Sequence, residues 1–196
     1  MFSIKKLITI SDYITMLNTI CGFLSIIYMI PNLIYLAIIF DALDGYIARK
    51  TNTVSELGKE LDSLSDIVSF GVAPAYLLYN DNNILLIGCI IFLLCGMLRL
   101  ARFNIIKTEG FIGLPIPAAA LILISTQYFI KNTYFLLFLS IFLGLLMISD
   151  IRYPKSKNKV VMVITFIALI LGVFNIPYLA LILGYVYLFL GIYKLN

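Results

Sequence analysis

The chain has 196 residues, of which 62% are hydrophobic and 12% charged, with a net charge of +4. So apolar a chain reads as a polytopic membrane protein, and its length predicts one domain over residues 1–196 with no room for a separate soluble module. With no histidine and with Cys21, Cys89 and Cys95 all inside apolar runs, it excludes thiolate or imidazole zinc sites and a disulfide framework. Any metal here is held by oxygen, and nothing points to a nucleic-acid partner.

Residues 1–10 carry Lys5 and Lys6 among Phe2, Ile4, Leu7 and Ile8, the pattern of a segment lying along a membrane surface. No small-residue cleavage site follows, so the segment is not read as a secretory signal. A helix needs roughly 17–25 residues to cross a bilayer. The apolar runs predict eight such helices, over 11–30, 33–50, 57–79, 83–106, 114–130, 133–150, 159–174 and 176–193. The expected fold is therefore all-α, a polytopic membrane helix bundle. The last two spans are short and separated by Asn175-Ile176-Pro177.

Charge predicts the orientation. Eight crossings gather 13 of the 14 basic residues on one side and leave only Lys131 on the other. Because basic residues are retained on the cytosolic side, both termini are expected there, in the cell membrane.

The second and third spans contain Asp41-x2-Asp44-Gly45-x2-Ala48-Arg49-x8-Gly58-x3-Asp62-x3-Asp66. An ionised Asp at membrane depth costs roughly 2.5–3.5 kcal/mol on the insertion scale, so four together mark a site. At about 100° per residue, Asp41, Asp44, Gly45 and Ala48 share one face of the second helix. Gly58, Asp62 and Asp66 share one face of the third, and the Arg49–Glu56 turn makes the two helices antiparallel. The four carboxylates are expected to form a square one to two turns below the cytosolic boundary.

Like charges so close repel unless cations bridge them. Oxygen-only coordination by Asp suits Mg²⁺ or Mn²⁺, and Ca²⁺ also fits. Two ions about 3.5–4 Å apart would hold a diphosphate against this pocket. Gly45, Ala48 and Gly58 let a nucleotide diphosphate approach the backbone, although the same small residues also suit helix packing. Arg49 at the cytosolic edge reads as a diphosphate contact or as an interfacial anchor. On the first helix Thr15, Asn18 and Gly22 share a face, and Asn18 is within reach of a diphosphate.

Position for position, the Asp pattern resembles the signature of the CDP-alcohol phosphotransferase family. The resemblance implies transfer of a phosphatidyl-type group from a CDP-linked lipid to an alcohol, on a six-helix catalytic core followed here by two C-terminal helices. It implies Asp66, the last Asp of the signature, as the catalytic base, with Asp41, Asp44 and Asp62 as the main ligands of two divalent cations and Asp66 beside them. Asn18, Gly45, Ala48, Arg49 and Gly58 then fall to CDP-lipid binding, and a homodimer is implied. The family often has Pro-Asn where this chain has Ser11-Asp12.

Three further segments, Asp62–Ala75, Leu98–Asn104 and Gly113–Ala120, resemble the phosphatidylserine synthase branch. The implied acceptor is L-serine, whose carboxylate needs a cation. Arg99 and Arg102 suit it, because Arg binds carboxylates bidentately, and Asn104 offers a hydrogen bond. Glycerol 3-phosphate or inositol phosphate is the alternative acceptor. A cation transporter is the remote alternative; it accounts for four acids but not for Gly45, Ala48, Arg49 and Gly58 at fixed offsets.

Overall fold

The structure is a computed structural model that describes residues 7–106, 110–154 and 158–193. The expected surface segment over residues 1–10 falls mostly outside these residues. So do Lys5, Lys6, Lys107, Lys155, Lys157 and Lys194 of the charge count.

The helical segments are α1 (Ile10–Ile27), α2 (Asn32–Lys50), α3 (Glu56–Asp66), α4 (Ala73–Asp81), α5 (Leu86–Ile105), α6 (Ile116–Phe129), α7 (Thr133–Ile148), α8 (Lys159–Val173) and α9 (Tyr178–Tyr193). α3 and α4 are joined through a π-helical stretch, Ile67–Val72, into one rod. Among the described residues the molecule is thus a bundle of eight rods, an all-α membrane helix bundle. Three of them, Ile10–Ile27, Glu56–Asp81 and Asn83–Ile105, are long and apolar enough to cross a membrane. Large apolar side chains such as Ile20, Phe23, Ile87, Leu98, Phe138, Phe166 and Phe189 are exposed around its outside, as a hydrocarbon solvent requires.

The π stretch has a local cause. Pro74 has no N–H to offer the carbonyl four residues back, and its ring crowds that carbonyl, so the turn widens. The Ala73 N–H reaches back to Val68 O instead. Within the predicted span over 57–79, the wider turn begins directly after Asp66.

α6 is the centre of the bundle. Residues Ala119 through Gln127 are all buried, the signature of a helix apolar all round. α1 crosses the π stretch very closely: a Cβ on Gly22 would sit 2.6 Å from Ser69 Cα. Two hydroxyls tie the same crossing, Ser65 Oγ donating to Thr15 O at 3.0 Å and Ser69 Oγ to Asn18 O at 2.9 Å. Small residues and hydroxyls at a crossing are how membrane helices approach one another without a hydrophobic driving force. Cys21, Cys89 and Cys95 are free and buried, as expected.

The turns use residues that tolerate left-handed backbone. Asn52 follows α2 with φ 55° and Asn175 follows α8 with φ 68°; Thr53 N then reaches Ala48 O, and Ile176 N reaches Leu171 O, closing each helix end. One element was not foreseen. Phe111–Ile112 (β1) pairs antiparallel with Arg152–Tyr153 (β2), joining the α5–α6 and α7–α8 connections into a short ribbon.

Candidate active site

Asp41 and Asp44 come from the second half of α2, Asp62 and Asp66 from the end of α3. The Thr51–Ser55 connection folds the two segments together. Ser55 caps α3, its Oγ accepting from Gly58 N at 3.0 Å. One carboxylate oxygen from each of Asp41, Asp62 and Asp66 lies within 4.8 Å of the others. Asp66 is buried and Asp41 and Asp62 are half-buried. At this spacing each pair of ionised carboxylates repels by about 3 kcal/mol even at an effective dielectric of 20. The ion pairs among the described residues, Arg102–Asp150 and Lys131–Asp81, involve none of them. An oxygen-only, negatively charged, partly dry cluster of this kind fits a hard divalent cation.

Asp44 is not part of this close group of three. Its side chain is buried and its Oδ2 accepts a hydrogen bond from Thr15 Oγ1 at 2.6 Å. It still borders the same inner cavity, of about 290 Å³, as Asp41, Asp62 and Asp66. Asp44 and Asp62 also border a larger outer cleft of about 560 Å³, together with Gly45, Ala48, Arg49 and Gly58. Two adjoining spaces therefore meet at Asp44 and Asp62.

The remaining predicted residues divide. Gly45 makes room for Arg49: a Cβ there would lie 3.1 Å from its Nη1. The space beside Gly58 belongs to Asp12, whose Oδ1 would be 2.9 Å from a Cβ. Asn18 is fully buried and lies against Asp66, its Nδ2 3.5 Å from Asp66 Oδ1, rather than on either cavity wall. Arg99 is buried and borders the inner cavity, its guanidinium carbon 5.2 Å from the Phe103 ring and 5.8 Å from the Phe111 ring. Its Nε has no hydrogen-bond partner among the described residues. Arg102 and Asn104 are not brought to the inner cavity. Arg102 is bonded to backbone carbonyls, and Asn104 exchanges hydrogen bonds with Ser63 while its carbonyl accepts from Lys59 Nζ at 2.8 Å.

Thr15, Asp12, Phe103 and Phe111 were not among the predicted site residues. Thr15 was legible as a member of the Asn18 face, and Asp12 as part of a capping box with Thr9. Phe111 carried no signal, because it reaches the cavity only through the ribbon.

The sequence profile described as CDP-alcohol phosphatidyltransferase matches residues 8–174, the stretch that contains all of these groups. The chain belongs to that family. It is accordingly a transferase. Among similar proteins, the CDP-diacylglycerol--serine O-phosphatidyltransferase of Methanocaldococcus jannaschii is 58% identical over 196 residues, covering 99% of this chain and 98% of its own. The archaetidylserine synthase of Methanothermobacter thermautotrophicus is 42% identical over 78% of this chain and 72% of its own. The CDP-diacylglycerol--serine O-phosphatidyltransferase of Bacillus subtilis is 40% identical over 74% of this chain and 89% of its own.

Proposed function

We propose that this enzyme transfers the phosphatidyl or archaetidyl group of a CDP-linked lipid to the hydroxyl of L-serine and releases CMP. The observation that carries the reading is near full-length similarity to a relative named as a CDP-diacylglycerol--serine O-phosphatidyltransferase, joined to a carboxylate cluster bordered by a buried Arg. Asp41, Asp44, Asp62 and Asp66 would hold two divalent cations, Mg²⁺ or Mn²⁺, with Ca²⁺ as a further fit. Bound there, the ions supply charge neutralisation of the donor diphosphate and stabilisation of the leaving CMP.

The chain's own residues do the rest. The outer cleft, with Gly45, Ala48 and Arg49, takes the nucleotide end of the donor. Thr15 fixes the Asp44 carboxylate, and Asn18 lies against Asp66, its Nδ2 3.5 Å from Asp66 Oδ1. Asp66 accepts the proton of the serine hydroxyl as its oxygen bonds to phosphorus and the bond to CMP breaks. Arg99, with an unengaged Nε beside the cavity, binds the serine carboxylate. The tight hydrogen bonding of Arg102 and Asn104 elsewhere supports giving this role to Arg99 alone.

The test is CMP release by purified protein given CDP-lipid with serine, glycerol 3-phosphate or inositol phosphate in turn. Release is expected with serine, and chelation should stop it reversibly, with Mg²⁺ or Mn²⁺ restoring it. Release at the same rate without serine would defeat the acceptor assignment, and undiminished activity after exhaustive chelation would defeat the metal role.

We further propose a multi-pass arrangement in the cell membrane with the site on the cytosolic side, and a homodimer. The charge asymmetry supports the orientation, because Arg49, Lys50, Lys59, Arg99, Arg102, Arg152 and Lys159 all belong to the side opposite Lys131. In sealed right-side-out vesicles, an impermeant amine reagent should label Lys131 and spare exposed Lys159. Labelling of Lys159 alone would reverse the orientation.

A further inference from the structure

Arg102 lies three residues after Arg99 on α5, yet the two guanidinium groups have different surroundings. Arg99 borders the inner cavity. Arg102 donates to the carbonyl oxygens of Ile148 at 3.0 Å, Met147 at 3.1 Å, Ser149 at 2.9 Å and Ile112 at 3.0 Å. Its contact with Asp150, at 3.4 Å to a side chain that is 99% exposed, adds little, as exposed pairs do.

Three of those carbonyls belong to the end of α7, where a helix leaves its last C=O groups without internal partners. The fourth belongs to β1. One planar group with five donors in a fixed fork thereby joins α5, α7 and the ribbon. Gly113 closes the junction with φ 76°, and a Cβ there would collide with the Met147 carbonyl oxygen and meet Arg102 Nη2 at 2.5 Å. Gly113 N donates to Ile151 O at 2.8 Å and Leu114 N to Leu146 O at 3.0 Å. On the other side of this junction the Phe111 ring lies against Arg99 and 6.1 Å from the Phe103 ring, at the cavity wall.

We propose that Arg102 is a positioning residue for the acceptor end of the site: it seats the β1–β2 ribbon on the bundle so that Phe111 holds the Arg99 guanidinium at the cavity. The proposal rests on the reading of Arg99 as the contact for the acceptor carboxylate. Arg102 itself touches no substrate. Its loss therefore acts on acceptor binding and leaves the donor side alone, because the four Asp side chains are carried by α2 and α3.

The test compares purified Arg102→Lys, Arg102→Ala and Arg99→Lys proteins with CDP-lipid and serine each varied. Arg102→Lys is expected to raise the KM for serine about tenfold, with kcat and the KM for CDP-lipid within about twofold of the parent. Arg102→Ala moves the same way and further; if it does not fold, Arg102→Lys still carries the test. The chain contains no tryptophan, so Phe111→Trp adds a single indole on the ribbon. Adding Arg102→Lys to that protein should shift its emission to the red and increase quenching by acrylamide. An unchanged serine KM in Arg102→Lys beside a raised one in Arg99→Lys overturns the proposal and leaves the Arg99 reading standing. A serine KM unmoved by Arg99→Lys overturns that reading and the proposal with it. A fall in kcat with both KM values rising together, and an unmoved indole, assigns Arg102 a general structural role and also overturns the proposal.

Discussion

Asp62→Asn and Asp41→Asn are each expected to abolish CMP release, with a loss on the order of 10³-fold in kcat/KM. That figure follows from the several kcal/mol of charge stabilisation that a bound cation supplies at a phosphoryl group, at about 1.4 kcal/mol per tenfold. Asn keeps the shape of Asp but replaces one carboxylate oxygen by an NH2 group and removes the charge that attracts the ion. Asp41, Asp62 and Asp66 bring their oxygens within 4.8 Å of one another, so each carries part of the charge that would hold one ion. Asp44→Asn should also fail, but with a smaller loss of metal affinity, because its Oδ2 is already shared with Thr15 at 2.6 Å. The measurement is CMP release across a titration of Mg²⁺ or Mn²⁺. If Asp62→Asn or Asp41→Asn retains full activity at ordinary metal concentration, that residue leaves the ligand set.

Asp66→Asn is expected to separate chemistry from donor binding. General-base catalysis by a positioned side chain contributes roughly 10²–10⁴-fold, so kcat should fall by at least that order while CDP-lipid still binds. Asp66 borders the inner cavity with Arg99 but not the outer cleft that Asp44 and Asp62 share. It is buried, directly before the π stretch that begins at Ile67. From that position it faces an acceptor bound near Arg99 more directly than the nucleotide end of the donor. Binding of CDP-lipid to the mutant, measured without serine, is the decisive comparison. If Asp66→Asn loses donor binding as completely as Asp62→Asn, Asp66 is a metal ligand first and the base lies elsewhere.

Much of the molecule was legible before any coordinates. Hydropathy located all eight rods, because a segment that must satisfy its own backbone in hydrocarbon has to be a helix of nearly fixed length. The carboxylate signature was legible because helical spacing alone puts Asp41 with Asp44, and Asp62 with Asp66, on single faces, and a two-sided turn between them leaves little choice of partner. Reduced cysteines followed from their apolar neighbours.

What sequence could not supply were the contacts made between segments far apart in the chain. Thr15 donates a hydrogen bond to Asp44 from 29 residues away, and no periodicity on α2 encodes that. Arg99 and Arg102 look equivalent in Leu98–Asn104 and, three residues apart, lie only about 60° apart around the helix. One meets the cavity and the other meets the end of α7 and the ribbon. The ribbon itself is two residues on each side, too short to carry an alternating pattern, and it pairs segments about 40 residues apart. The sequence by itself determined the membrane bundle, the four carboxylates and the family. Only the tertiary structure decided which of its charged and polar side chains share a cavity, because that depends on where helices cross, and crossings are fixed by packing at residues such as Gly22, Ser69 and Gly113 rather than by the helices' own composition.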